Sequence, residues 1–181
     1  MTRMAEVEPA SDARATRPHR LLLVCTANIC RSPMAEAFAK TYGLERGWAI
    51  EAMSAGVSAF SDNRAAPRSV KAMAELGIDI GPHRSRPIDE ENMLWADYVL
   101  VMELRHATRI REFWPQQEGK VMMLGNFGGV MEIDDPYGSW FMGRYRRCRD
   151  EIQRCTHTFI DRLPIRRSYS SASSSHRKEQ A

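Results

Sequence analysis

One segment constrains this chain more than any other. In "RLLLVCTANICRSPMAE", Arg20 to Glu36, a short unbroken apolar run passes straight into a helical pattern. A strand with no polar alternation must be covered on both faces, the condition of a strand inside a parallel sheet. Three further short runs supply its partners: "IEAMSAG" (50–56), "DYVLVM" (97–102) and "KVMMLG" (120–125). Helical patterns lie between them. Met34, Ala37, Phe38 and Thr41 follow the i, i+3, i+4, i+7 spacing of a buried helix face, with Ser32 as the expected N-cap and Pro33 at the first helical position. Helices are also expected over 65–76, closed by Gly77, and over 103–114, stopped by Pro115. A last helix carries the apolar stripe Phe141, Tyr145, Cys148, Ile152, Cys155, Phe159 and Leu163 before Pro164. Strands alternating with helices predict a small α/β domain: a doubly wound, four-stranded parallel sheet flanked by helices. Ligands of such sheets bind beyond the carboxyl ends of the strands, which is where the segment after Val24 lies.

The chain has 181 residues, enough for one well-packed domain, expected over 20–164. Residues 1–19 and the basic, serine-rich 165–181 are polar and unpatterned, so both ends are expected to be disordered. A net charge of +3 does not argue for nucleic acid or a membrane surface as partner. No apolar run reaches the roughly 18 residues that a membrane-crossing helix needs. The first residues lack the apolar centre of a signal peptide, so a cytoplasmic location is expected, a dedicated secretion route aside. The four cysteines, Cys25, Cys30, Cys148 and Cys155, are read as reduced thiols. Cys148, Cys155 and His157 fit no usual zinc spacing, and no metal or cofactor is expected.

The segment Cys25 to Ser32 can do specific chemistry. A loop wrapping into a helix N-terminus turns backbone N–H groups into its hollow and makes an anion site. Arg31 adds a planar fork suited to two phosphate oxygens. A cysteine at the start of that loop would be favoured as thiolate, and the Ser32 hydroxyl could donate to it. Thiolate, cradle and arginine together describe a nucleophile aimed at phosphorus. The GxxxxGK[ST] pattern of a nucleotide-binding loop is absent. Expelling a phenolate, whose conjugate acid has a pKa of about 10, also calls for a proton donor. "IDDPYG", Ile133 to Gly138, offers one: Pro136 restricts Asp135 to extended conformations and so fixes its direction. Each fragment alone also fits a plain role, Cys25 as a small core residue and Asp-Pro-Tyr-Gly as a turn.

Together, "VCTANICRSPMAE", "SAG" (54–56), "HRSRP" (83–87), "ADYVLVM" (96–102) and "DDPYG" (134–138) resemble the low-molecular-weight protein tyrosine phosphatases, in order and approximate spacing, from Leu21 to Leu163. The resemblance implies a flavodoxin-like phosphatase architecture and metal-independent hydrolysis of phosphotyrosine through a phosphocysteine. It makes Cys25 the nucleophile, Arg31 the phosphate grip, and Asp135 the general acid and then base. Thr26, Ala27, Asn28, Ile29, Cys30, Arg31 and Ser32 would line the phosphate, with Ser32 also assisting thiolate departure. Asn28, Ser32, Ser54 and His83 would hold the loop in shape, and Phe60 and Tyr137 would wall the substrate ring. A reversible Cys25–Cys30 disulfide under oxidation is also implied. The implied partners are a phosphotyrosine-containing protein, such as a bacterial tyrosine kinase or a host protein, and inorganic phosphate as product and inhibitor. A monomer is expected.

Two departures stand out: Ala27 where many members have glycine, and Gly138 where some carry a second aromatic after Asp-Pro. Arsenate reductases of this fold need two further cysteines after the third strand, and residues 80–110 contain none. Arginine phosphatases of this fold carry threonine at the position of Ile29, whose branched apolar side chain resembles the tyrosine-directed members. A phosphate-binding module without catalysis would need neither Cys25 nor Asp135.

Overall fold

The computed structural model describes residues 17–164. Residues 1–16 and 165–181, expected as unstructured ends, lie outside the described residues. The first strand, β1, spans His19–Cys25. The sheet thus starts ahead of position 20: the His19 N–H donates to the Ala49 carbonyl, and the Arg17 guanidinium pairs with Asp97.

Strands β2 (Ile50–Gly56), β3 (Tyr98–Val101) and β4 (Val121–Met123) complete a four-stranded sheet of order β2-β1-β3-β4. All pairings are parallel, with Leu22 opposite both Met53 and Val99. Alternate residues of β1 feed two cores. Leu21 and Leu23 pack with Met34, Phe38, Ile152 and Phe159 on one face, and Leu22 and Val24 with Met93, Val101 and Ile110 on the other. Helices α1 (Arg31–Arg46) and α5 (Met142–Asp161) cover the first face, and α3 (Glu90–Trp95) and α4 (Leu104–Phe113) the second. Helix α2 (Pro67–Ala74) packs beside α5. This is the doubly wound α/β fold. Strand order reverses between β1 and β3, so the crevice at their carboxyl ends is the fold's natural binding position.

Three expectations change. Ser32 does not cap α1: the helix begins at Arg31 with Cys30 before it, and the Ser32 hydroxyl turns inward to Cys25 and Asn28. Phe141 leaves the apolar stripe, 77% exposed just ahead of α5, while Tyr145 to Phe159 stay buried. Helix α3 is unanticipated; six residues are too few for a periodic signal, though Asp89 caps the Asn92 N–H and Asn92 caps back.

Candidate active site

The loop Thr26–Cys30 leaves β1 and enters α1, and glycine at 56 lets it lie flat against β2. A side chain at Gly56 would meet the Thr26 carbonyl oxygen at 2.6 Å and the Asn28 nitrogen at 2.9 Å. The loop's left-handed residue is Asn28, φ 54°, and not Ala27, so a non-glycine at 27 costs no strain. Asn28 is fully buried and its side chain is fully used: Nδ2 donates to Ser32 (2.9 Å) and Ser54 (2.8 Å), and Oδ1 accepts from the Arg86 N–H (2.9 Å). His83 Nε2 lies 2.8 Å from the Asn28 carbonyl, to which it can only donate. Burial holds His83 below its ordinary pKa, in keeping with a neutral structural ring. Ser54 passes the chain on to the Glu36 carboxylate at 2.6 Å.

Cys25 is 3% exposed, with its Sγ 3.0 Å from Ser32 Oγ. Ser32 already accepts from Asn28, and its one hydrogen has two acceptors in reach, Cys25 Sγ at 3.0 Å and the Ala55 carbonyl at 3.4 Å, so a thiolate can claim it from the longer contact. At Cys30 burial pushes the thiol up to about 12, which keeps it protonated near neutrality.

Arg31 opens α1 with a cation, the wrong sign for a helix N-terminus. Its side chain is 1% exposed, and it is held by the Glu103 carboxylate, the Ile133 carbonyl (2.9 Å) and Asp135 Oδ2 (2.5 Å). Burial alone would lower its pKa, but Asp135, Cys25 and Glu103 outweigh that and hold the guanidinium above its ordinary value. Its Nε finds no hydrogen-bond partner among the described residues.

Asp135 is carried by a loop that buried Ile133 pins to the sheet, the Ile133 N–H donating to the Met102 carbonyl at 3.0 Å. Asp134 faces solvent and Asp135 faces Arg31. Asp135 Oδ1 accepts from the Tyr137 N–H at 3.1 Å. Gly138 has φ 79°, and the Ser139 N–H closes the turn onto the Pro136 carbonyl, so the position where a second aromatic could stand is held by a glycine-favouring turn. Cys25, Thr26, Ala27, Ile29, Cys30, Arg31 and Asp135 share one cavity of about 370 Å³, with exposed Phe60 and Tyr137 at its mouth. Asn28, Ser32, Ser54 and His83 lie behind it.

Two residues of this site were not foreseen. Glu103 lies two residues past the end of β3 and binds both Arg31 and Arg105. His106 receives the Glu103 N–H at Nδ1 (3.2 Å), so its proton sits on Nε2, 2.9 Å from Thr26 Oγ1. Burial and the nearby Arg31 charge press His106 down to about 4. The clue to Glu103 was its place at the carboxyl end of a buried parallel strand. Among the described residues no three His, Cys, Asp or Glu side chains converge as metal ligands, and no helix is long and apolar enough to cross a membrane.

Comparison with known proteins places this geometry in context. Residues 20–168 match the family model of low molecular weight phosphotyrosine protein phosphatases. A protein-arginine-phosphatase of Geobacillus stearothermophilus is 38% identical over 148 residues, 81% of this chain and 94% of that protein. The low molecular weight protein-tyrosine-phosphatase Wzb of Escherichia coli K12 is 36% identical over 119 residues, 66% of this chain and 78% of that one. Among solved structures, the low molecular weight protein tyrosine phosphatase of T. tengcongensis superposes with a TM-score of 0.76 at 34% identity, covering 80% of this chain and 99% of that one.

Proposed function

The chain belongs to the low molecular weight phosphotyrosine protein phosphatase family, and from that premise we propose that it hydrolyses phosphotyrosine on proteins through a phosphocysteine, without a metal. The observation that carries the reading is Arg31: a buried guanidinium with an unpartnered Nε, in the wall of the cavity that also holds Cys25 and Asp135. Its charge is already balanced by Glu103 and Asp135, but a buried N–H donor left unpaired is costly, and a phosphoryl group offers oxygens for that fork.

The incoming phosphate takes Arg31 donors that Asp135 now occupies; the released carboxylate takes a proton from solvent and turns toward the leaving oxygen. Cys25 thiolate attacks phosphorus while the P–O bond to the phenol breaks and Asp135 gives its proton to that oxygen. Asp135, now a carboxylate, takes a proton from water as the water's oxygen attacks phosphorus. The P–S bond breaks, Ser32 donates to the departing thiolate, and inorganic phosphate leaves. Positive charge comes from Arg31 and the loop N–H groups, which is the role a metal would otherwise fill. Phe60 and Tyr137 offer ring faces to an aryl group.

A second reading, phosphoarginine as substrate, is favoured by the names of relatives that are 38% and 36% identical over most of this chain. Ile29 argues the other way: it lines the cavity with a branched apolar side chain, packed against Cys30, Ala66, Ala72 and Tyr145. The test is hydrolysis of matched phosphotyrosine and phosphoarginine peptides in excess EDTA by wild type and Cys25→Ser. Wild-type turnover of phosphotyrosine, abolished in Cys25→Ser, supports the proposal. Turnover of phosphoarginine alone would replace it.

A further inference from the structure

A second cavity adjoins the first. Thr26 and Ser58 line both, so the two hollows share a wall. The second holds about 380 Å³ and is otherwise lined by Val57, Arg105, His106 and Arg109. Arg105 and Arg109 stand one turn apart on α4, with side chains 62% and 52% exposed. Among the described residues no carboxylate lines this hollow. Glu103 is shared between Arg31 and Arg105, holding the Arg105 Nε at 2.7 Å and Nη2 at 3.0 Å, and His106 is neutral at physiological pH, so the free positive charge facing the hollow is chiefly that of Arg109.

Arg109 has donors to spare. It makes no hydrogen bond among the described residues; its ionic and aromatic neighbours there are the Glu112 carboxylate at 3.9 Å and the Phe113 ring, 4.5 Å from its centroid. An exposed pair at that distance is weak and yields readily to a ligand. Arg105 reaches back to Thr26 Oγ1 at 3.3 Å, which fixes its guanidinium at the shared wall.

We infer that this hollow is a subsite for an acidic group, a carboxylate or a second phosphoryl, on a residue flanking the phosphorylated one in the substrate protein. The inference rests on the phosphatase reading, since an occupant of the first cavity is what brings the flanking residue to the second. A planar guanidinium fork matches either oxyanion bidentately. Extended peptide advances about 3.3 Å per residue, so residues close in sequence to the phosphorylated one can span two adjoining hollows. Placed this way, Arg105 and Arg109 select among substrates and take no part in the chemistry.

The test uses phosphotyrosine and phosphoarginine peptides, each with flanking Gln, Glu or phosphoserine, and compares kcat/KM for wild type, Arg109→Ala and Arg109→Glu at low salt. A small aryl phosphate, which has no flanking residue, reports any loss of chemistry separately. The same ratios are read as affinities of the Cys25→Ser protein for the peptides. Wild type is expected to favour Glu over Gln flanks by about three- to tenfold, the range for a partly exposed charge-assisted contact. Arg109→Ala should bring the ratio near one and Arg109→Glu should invert it. A preference for phosphoserine flanks alone assigns the subsite to a second phosphoryl. A wild-type ratio near one for both acidic flanks, or a preference that survives in Arg109→Glu, overturns the inference. Turnover of phosphoarginine peptides alone sinks the phosphotyrosine reading instead, and the flank ratio within that set still judges the subsite.

Discussion

Arg31 and Asp135 lie face to face across 104 positions of sequence, Nη2 to Oδ2 at 2.5 Å, one fully buried and the other on the rim of the cavity. The carboxylate therefore occupies donors that a phosphoryl group would claim. Anchoring comes from both sides: Ile133 gives its carbonyl to the same guanidinium and its N–H to the Met102 carbonyl just past strand β3. In the proposed reaction a substrate taking those donors would also free Asp135 beside its leaving oxygen.

Replacing the acid should therefore cost rate in proportion to how much the leaving group needs a proton. Asp135→Asn is expected to lower kcat on a phosphotyrosine peptide by about 10²- to 10⁴-fold, the usual worth of a positioned general acid. The loss should shrink markedly with a nitrophenyl phosphate, whose leaving oxygen is far less basic. Equal losses on the two substrates would show that Asp135 acts only by holding Arg31.

Asn28 supports the loop at four points, its two side-chain donations, the Arg86 N–H and the His83 ring, while holding φ 54°. Asn28→Ala removes the side-chain part of that network, leaves Ser32 and Ser54 short of a donor, and forces a less tolerant residue into the left-handed region. Unsatisfied buried groups cost about 1–3 kcal/mol each, so a loss of that order in urea-denaturation stability is expected. Weaker vanadate binding should accompany it, because the loop's N–H groups lose their aim. Unchanged vanadate affinity with lowered stability would make Asn28 a folding residue only.

Much of this was legible in the sequence because the informative contacts are local. Cys25 to Ser32 is a continuous stretch between an apolar strand and a helix, and the rule that binding occurs at strand ends places it without any three-dimensional information. Asp135 was legible through Pro136, which restricts its backbone. Glu103 and His106 were not singled out, since a glutamate and a histidine at the start of an amphipathic helix look like a solvated first turn. Only the fold, by seating β3 beside β1, turns them toward Arg31 and Thr26. The contact of Ser32 with Cys25 was legible, but its capping role was misread: a serine at the start of a helical pattern usually caps it, and here Cys25 and Asn28 take the hydroxyl instead.

His106 gives the fold a pH dependence with a definite sign. Its pKa is about 4 in the folded protein against an ordinary 6.5, so between those values the unfolded chain binds the proton and the folded one does not. Stability from this group is full above pH 6.5 and is lost as pH falls toward 4. At pH 5 the linkage amounts to about 2 kcal/mol. Urea-denaturation free energies at pH 7.5 and pH 5 should therefore fall more steeply for wild type than for His106→Asn, by about that amount. The Glu75 carboxyl, held down to about 2 by Arg146, contributes at lower pH, from 4.5 downward, so the two effects separate on the pH axis. Parallel losses in the two proteins would remove His106 as the cause.

Cys30 shares the loop with Cys25 and is equally buried, but burial holds it as a neutral thiol with a pKa of about 12. A neutral thiol is a poor rival to the nucleophile, and it resolves a sulfenic acid only by giving up its proton as it attacks. Peroxide takes a Cys25 thiolate to the sulfenic acid, with release of hydroxide. The Cys30 sulfur then bonds to the Cys25 sulfur as its proton and the sulfenic hydroxyl leave as water, forming a disulfide that external thiol reduces. Wild-type activity lost to a brief peroxide pulse should therefore return with dithiothreitol, and recovery in Cys30→Ser should be several-fold smaller because its sulfenic acid proceeds to the irreversible sulfinic form. Mass spectrometry of the oxidised proteins distinguishes the routes: loss of two hydrogens for the disulfide, gain of two oxygens for the sulfinic acid. Equal recovery in both proteins, with no disulfide in wild type, would leave Cys30 as a packing residue in the cluster with Ala66, Ala72 and Tyr145.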